Sequence, residues 1–172
     1  MTHYYRYYVL VMLTVVSMIN IMDRLILSIL LEDIKAEFTF TDTQLGVLAG
    51  LAFALFYALM SIPIARWADI SNRKNILAAA LIIWSGMTAL CGAATGFVSL
   101  FLARLGVGIG EAGGSPPSYS IIADYFKPSE RARAMGVYVT GSVLGTGGGL
   151  IVGGLLGEWL GWRMTFLALG IP

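Results

Sequence analysis

The feature that most constrains this chain is the length of its stretches without charged residues. No Asp, Glu, Lys or Arg occurs between Lys74 and Arg104, and other stretches are nearly as long and as apolar. An α-helix needs about 20 residues to cross the hydrocarbon core of a bilayer. Because every backbone polar group in lipid must bond within its own segment or barrel, stretches of this length predict membrane-spanning helices.

The composition supports a membrane environment. Hydrophobic residues make up 58% and charged residues 12% of the 172 residues, and the charged share is about half of the roughly 25% usual in soluble domains. A soluble fold of this length would have too little polar surface to cover so much apolar mass. The net charge of +1 argues against nucleic acid as a partner, since nucleic-acid binding needs a basic surface. The expected surroundings are a lipid bilayer.

Five complete spans and the beginning of a sixth are predicted, which makes the chain an all-α membrane protein. Thr95-Gly96-Phe97 divides the uncharged stretch before Arg104 into two spans. The set is about 7–31, 43–65, 75–94, 98–121 and 134–157, with 164–172 as an incomplete sixth. A helix that ended a few residues into a bilayer would leave its carbonyls in hydrocarbon. We therefore expect residues 1–172 to be the N-terminal transmembrane half of a longer protein, with a C-terminal half missing.

Lysine and arginine in the loops predict the orientation. If the N-terminus is cytoplasmic, the opposite side contains only Lys35 and Arg163. The cytoplasmic segments then contain Arg6, Arg66, Arg73, Lys74, Lys127, Arg131 and Arg133. Cytoplasmic loops are enriched in these residues, so we expect a multi-pass protein of the cell (inner) membrane with its N-terminus inside.

Two local patterns predict where helices begin and bend. The segment Thr41-Asp42-Thr43-Gln44 fits a capping box that begins the second span, with Thr41 as the N-cap and Gln44 reaching back. Pro116-Pro117 is expected to bend or unwind the fourth span near its cytoplasmic end, because each proline removes a backbone donor.

Four ionisable residues fall inside predicted spans: Asp23, Arg24, Arg104 and Glu111. Each costs at least roughly 2.5 kcal/mol at the membrane centre, so such residues usually face a polar cavity or a partner. Arg104 and Glu111 are seven positions apart, which places them on one helix face about 10 Å apart along the axis. With Gly108 between them, they predict a substrate cavity with a cation at one end and an acid at the other. The alternative is a structural ion-pair network that joins the first span to the fourth.

Asp23 and Arg24 are adjacent, so their side chains point about 100° apart and cannot face the same partner squarely. Asp23 is the candidate proton carrier, because a carboxyl group in a low-dielectric cavity is stabilised in its neutral form unless a cation offsets this. The alternative is that Asp23 serves as the fixed counter-ion of an arginine.

Glycines recur at every fourth position in the fifth span and at close spacing in the fourth. Small residues at this spacing let helix backbones approach closely, so we expect packing seams. The residues concerned are Gly106, Gly108 and Gly110 in the fourth span and Gly141, Gly145 and Gly149 in the fifth.

The sequence offers little support for an enzyme. Gly108-Ile-Gly110-Glu-Ala-Gly113 matches a dinucleotide-binding pattern by letters, but that pattern has meaning only between a strand and a helix. His3 is the only histidine and Cys91 the only cysteine, so no metal site, cofactor or catalytic residue is predicted.

The loop between the second and third predicted spans, residues 65–74, resembles the signature cytoplasmic loop of the major facilitator superfamily. It retains that motif's acid, as Asp69, and its basic pair, as Arg73 and Lys74. The resemblance implies that Asp69 accepts hydrogen bonds from a helix end in the missing half and keeps the outward-facing gate closed. The alternative is a surface turn whose charges serve topology alone.

Further elements are similar to the spinster-like branch of that superfamily. Arg104-Leu-Gly-Val-Gly-Ile-Gly-Glu111-Ala resembles the fourth-helix motif, in which the arginine is linked to proton coupling. Asn20-Ile-Met-Asp-Arg24 and the segments 110–117, 123–131 and 161–163 are most similar to spinster proteins. The anion:cation symporters share the Asp-Arg and Gly-Glu-Ala elements.

The resemblance implies twelve helices in two six-helix halves with the cavity between them. It also implies a secondary active transporter that moves a small organic or lipid-like amphiphilic substrate by alternating access, coupled to protons. A symporter for organic or sugar acids is the alternative within the superfamily. Outside it, the alternatives are a non-transporting component of a membrane assembly and an integral-membrane enzyme.

Overall fold

The structure, a computed structural model, describes residues 3–170, and all its regular elements are helical. In chain order they are α1 (His3–Phe38), α2 (Asp42–Gly46), a π-helical turn (Val47–Leu51), α3 (Ala52–Ile70), α4 (Arg73–Gly92), α5 (Phe97–Ala112), α6 (Ser115–Tyr125) and α7 (Pro128–Leu169). Five helical stretches within 3–170 are long and apolar enough to cross a membrane. The prediction of an all-α membrane protein is confirmed.

The predicted fifth and sixth spans both lie in α7. This element is interrupted at Gly161, whose φ of 74° is the only non-helical conformation inside it. Positive φ is accessible to glycine without steric cost, so Gly161 allows the chain to turn between the two spans. Residues 171–172, the end of the predicted sixth span, lie outside the described residues.

The second span begins with the predicted capping box. The Thr41 hydroxyl accepts a hydrogen bond from the Gln44 backbone N–H, and the Gln44 side chain accepts one from the Thr41 N–H at 2.9 Å. This confirms the predicted start of the helix. The π-helical turn that follows α2 has no counterpart in the sequence predictions.

The glycines of α7 lie against α1. A Cβ atom at Gly141 would overlap the backbone carbonyl of Thr14, and one at Gly145 would overlap that of Met18. At Gly149, a Cβ would lie 3.1 Å from the Cα of Met22. The two backbones therefore approach so closely that these positions have no room for a side chain.

The glycines of α5 lie against two neighbouring helices, α4 and α3. A Cβ at Gly106 would meet the side chain of Met87, and one at Gly110 would lie 2.6 Å from the backbone nitrogen of Trp84. Gly108 instead meets α3, where the Phe53 carbonyl oxygen would be 3.0 Å from the added atom. The space beside Gly108 is therefore occupied by the neighbouring backbone of α3. Gly108 does not line an open cavity wall, contrary to the sequence interpretation.

The fourth span is interrupted, but the break lies at Gly113 and Gly114 rather than at the prolines. Pro116 and Pro117 stand in the first turn of α6. A proline there costs no hydrogen bond, because the first N–H groups of a helix have no intrahelical partner. The prolines therefore begin the second helical piece.

A cluster of polar side chains, which we call the clasp, connects the C-terminal ends of α1 and α4 to the part of α7 that follows Gly161. It lies at the end of the bundle opposite the N-terminus. Glu37 of α1 accepts hydrogen bonds from Trp162 Nε1 at 2.7 Å and from Arg163 Nη2 at 2.6 Å. Arg163 Nη1 also donates to the carbonyls of Gly92 and Ala94 at the end of α4. The clasp satisfies carbonyls that a helix end leaves without partners.

Candidate functional site

The four ionisable residues predicted inside the spans come together where α1, α4 and α5 meet. Asp23 is 3% exposed, and Arg104 and Glu111 are each 1% exposed. Only the side chain of Arg24 keeps substantial exposure, at 34%. The site is therefore a nearly dry cluster of two acids and two bases, with one cation at its accessible edge.

Glu111 pairs with Arg24. The Glu111 Oε2 atom accepts from Arg24 Nη2 at 2.7 Å and from Arg24 Nε at 3.1 Å. The other oxygen, Oε1, is buried and has no hydrogen-bond partner among residues 3–170. This ion pair joins the first span to the fourth, which is the kind of contact that the alternative interpretation of the cluster expects.

Asp23 faces α4 rather than Glu111, the partner of Arg24. Its Oδ2 atom accepts from Trp84 Nε1 and from Thr88 Oγ1, each at 2.6 Å, while Oδ1 is buried without a partner in the described part of the chain. The adjacent residues Asp23 and Arg24 thus contact different helices, as their 100° separation predicts.

Arg104 is the least satisfied member of the cluster. Its Nε and Nη1 atoms are buried and make no hydrogen bond to any described residue. Its charge acts on both Asp23 and Glu111. A buried guanidinium that lacks hydrogen bonds is costly to keep, so the cluster holds donor capacity that a bound anion or water would use.

Aromatic rings complete the site. The Cζ atom of Arg24 lies 4.7 Å from the ring centroid of Phe53 and 5.0 Å from that of Tyr57. Phe53 also contacts the second cation, since Arg104 Cζ lies 5.4 Å from its centroid. These distances fall within the roughly 6 Å range of cation–π attraction.

The predicted gating residues lie on both sides of the short loop between α3 and α4: Asp69 is in the last turn of α3, and Arg73 and Lys74 begin α4. Arg73 forms an ion pair with Asp124 of α6. Asp69 and Lys74 are exposed, and together with Asp124 they line a shallow groove of about 320 Å³. Asp69 makes no side-chain hydrogen bond or ion pair within residues 3–170, so its carboxylate is available to a partner outside them.

The sequence interpretation did not identify Phe53, Tyr57, Trp84 or Thr88 as site residues. The last two carry a readable signal: they are four positions apart in a predicted span, which places two polar donors on one helix face. Such a pair in a membrane span needs an acceptor, and Asp23 provides it. The aromatic pair carries no comparable signal, because aromatic residues are common throughout the spans.

Comparisons with known proteins agree with this geometry. Residues 13–172 match the Major Facilitator Superfamily. An MFS-type efflux pump of Mycolicibacterium smegmatis is 38% identical over 92% of this chain and 37% of its own length. The D-galactonate transporter of Escherichia coli is 32% identical over 96% of this chain and 38% of its own length.

Among solved structures, a bacterial homologue of the human lysosomal transporter Spinster, in an inward-facing and occupied conformation, superposes with a TM-score of 0.96. It is 41% identical, and the match covers all of this chain and 43% of that one. The chain thus spans less than half the length of the relatives it matches, and those relatives are transporters and an efflux pump rather than enzymes. The chain belongs to the major facilitator superfamily, and it is similar in sequence and structure to a bacterial homologue of Spinster.

Proposed function

We propose that this chain contributes one half of a secondary active transporter that moves an anionic, amphiphilic small molecule by alternating access, with protons as the coupling ion. The remaining helices are expected in a C-terminal half that completes the cavity. Membership of the superfamily supports the transport activity. The ionisable cluster supports the proton coupling.

The observation that carries the proposal is the pairing of a partly exposed cation with a fully buried acid. Arg24 is the only member of the cluster that a substrate anion can reach easily, and its present partner is Glu111. If a substrate carboxylate or phosphate takes over Arg24, Glu111 loses its counter-ion inside a dry site. A buried carboxylate that loses its hydrogen-bonded cation is more favourable in its protonated form than before, so anion binding and proton binding promote each other.

Asp23 is the proposed second proton site. Its carboxylate accepts hydrogen bonds from two neutral donors, and its other oxygen is buried and has no partner among residues 3–170. Asp23 and Glu111 are both buried carboxyl groups that can gain and lose a proton. We propose that together they act as a two-site proton relay beside Arg24 and Arg104.

Glu111→Gln in the full-length transporter is expected to lower the rate of substrate-driven proton movement by about tenfold or more, equivalent to at least about 1.4 kcal/mol. Asp23→Asn is expected to do the same while leaving substrate binding intact. The measurement uses proteoliposomes that contain a pH-sensitive dye, with sugar acids and a single-chain anionic amphiphile as the two probe classes. The matched control is Asp42→Asn, an exposed acid outside the cluster. Undiminished proton movement in both cluster variants would refute the coupling role.

A sugar acid is the second candidate substrate. The likeness to the D-galactonate transporter favours it, at 32% identity, while the resemblance of the sequence motifs to spinster proteins implies a lipid-like molecule. Both kinds of molecule carry an anionic group that suits Arg24. The two probe classes separate them, because only the true substrate class will drive protons into the vesicles.

The cytoplasmic loop is the proposed gate, and the asymmetry of basic residues supports a cytoplasmic N-terminus in an inner membrane. Asp69 is exposed and has no partner in the described residues, as expected of a residue that bonds to the other half.

Asp69→Ala is expected to shift the conformational equilibrium away from the outward-facing state, because the variant loses the bonds that close the cytoplasmic side. The loss of one charge-assisted hydrogen bond, about 1.5–3 kcal/mol, changes the ratio of the two states by roughly 10–150-fold. Labelling of single cysteines placed on either membrane face measures the shift. The control is Asp33→Ala, which changes an exposed acid near the C-terminal end of α1. Equal labelling before and after Asp69→Ala would argue that the loop serves topology alone.

A further inference from the structure

Two aromatic rings of α3 surround the only accessible cation of the cluster. Phe53 and Tyr57 stack on each other with centroids 5.6 Å apart, and both rings lie within 5.0 Å of the Arg24 Cζ atom. Phe53 is 7% exposed, so its contact with the guanidinium is largely shielded from water. Cation–π attraction is strongest in such desolvated contacts.

Among the described aromatic residues, Phe53 is the one whose ring lies close to both cations. Its ring lies 5.4 Å from Arg104 Cζ as well as 4.7 Å from Arg24 Cζ. The two guanidiniums repel each other, and both have to stay close to two acids. The negative face of the Phe53 ring, which lies close to both, offsets part of that repulsion without adding a charge of its own.

The helix of Phe53 has a local distortion that brings this ring to the cluster. Leu48 and Phe53 are both buried although they are five positions apart, a spacing that in an α-helix would turn them about 140° away from each other. The π-helical turn Val47–Leu51 contains Leu48 and ends two residues before Phe53. Its wider hydrogen-bonded ring realigns positions five apart, and such turns are frequent at functional sites.

Gly108 lets α3 come close enough for the contact. The Phe53 carbonyl oxygen would lie 3.0 Å, and its ring Cδ2 atom 3.5 Å, from a Cβ added at Gly108. A side chain there would push Phe53 outward, away from the two arginines. The π-helical turn and the missing side chain of Gly108 therefore act on the same residue from two helices.

We propose that Phe53, supported by Tyr57, is a positioning residue of the site: it holds the Arg24 guanidinium in the orientation that pairs with Glu111, and holds Arg104 between the two acids. Arg24 bonds to a single oxygen of Glu111 and its side chain is 34% exposed. Apart from its two hydrogen bonds to Glu111, the guanidinium is kept from turning toward the open side by its contacts with the rings of Phe53 and Tyr57. The consequence for transport rests on the proposed function, whereas the positioning itself is a property of the folded protein.

The test is the mobility of the Arg24 side chain in the full-length protein. Arginine-labelled samples are compared by NMR, with the Arg24 and Arg104 Nε–H signals assigned through Arg24→Lys and Arg104→Lys. In Phe53→Leu, which keeps an apolar side chain but removes the ring, the order parameter of the Arg24 Nε–H group is expected to fall from a rigid value of about 0.85 to below about 0.6. Phe53→Tyr, which keeps the ring, is expected to restore the rigid value.

The matched control is Phe56→Leu, the same substitution three positions along α3, where no guanidinium contacts the ring in the described structure. An Arg24 group that stays rigid in folded Phe53→Leu, or that becomes equally mobile in Phe56→Leu, would overturn the positioning role. If the wild-type protein fails to move protons with any probe while Arg24 still depends on Phe53, the proposed function falls and the positioning role stands.

Discussion

Gly145→Ala is expected to destabilise the helix bundle by about 1–3 kcal/mol, the usual cost of forcing an extra methyl group into a packed interface. The added Cβ would overlap the Met18 carbonyl oxygen and lie 3.1 Å from the Cβ of Ile21. A backbone carbonyl inside a helix cannot move aside as a flexible side chain can. The two helices would have to separate along their whole contact, so thermal unfolding of the purified full-length protein in detergent should show the loss.

Gly147→Ala provides the matched control for that experiment. It lies in the same helix, and a Cβ there would meet nothing within 4 Å in the described structure. Alanine is favoured over glycine in a helix by roughly 1 kcal/mol, so this change is expected to be neutral or stabilising. Similar losses at both positions would contradict the close packing of α1 and α7.

Arg24→Leu is expected to have the second large effect, at about 3 kcal/mol. Removing one partner of a buried pair leaves the other charge uncompensated, which costs roughly 3–5 kcal/mol. The lower end applies here because the Arg24 side chain keeps 34% exposure, while that of Glu111 has none. Chemical unfolding of the full-length protein, followed through tryptophan fluorescence, measures the change.

The double variant Arg24→Leu with Glu111→Gln makes the cause testable. It removes the stranded carboxylate, so it is expected to recover most of the stability that Arg24→Leu loses, through a coupling of 0.5–3 kcal/mol, roughly the range for contacting residues. Losses that simply add would mean that Arg24 contributes through packing on Phe53 rather than through its ion pair.

Much of the fold could be predicted from the sequence, because the bilayer leaves few choices. The lengths of apolar stretches fix the number of spans, and the short-range hydrogen bonds of Thr41 and Gln44 depend only on neighbours in the chain. The four ionisable residues could be expected to meet, since each is expensive alone in lipid.

The pairing inside the site could not be predicted, because it depends on how the helices are rotated against each other. Glu111 is on the same face of α5 as Arg104, yet its bonded partner is Arg24 of another helix. The π-helical turn adds a local rotation that no hydrophobic pattern reveals. The place of Gly108 followed from neither spacing nor residue type, since a glycine can face an open cavity or a neighbouring backbone equally well.

The packing of α1 against α7 also bears on how the protein is made. Ser17 and Ser142 hydrogen-bond across that contact although they are 125 positions apart, and Arg24 and Glu111 are 87 positions apart. At about 5–20 residues per second, translation takes on the order of ten seconds to supply either partner. During that interval α1 contains an acid and a base for which the nascent chain holds no completed site. Helix α1 therefore depends on the insertion machinery until the helices that bury its charges have been synthesised.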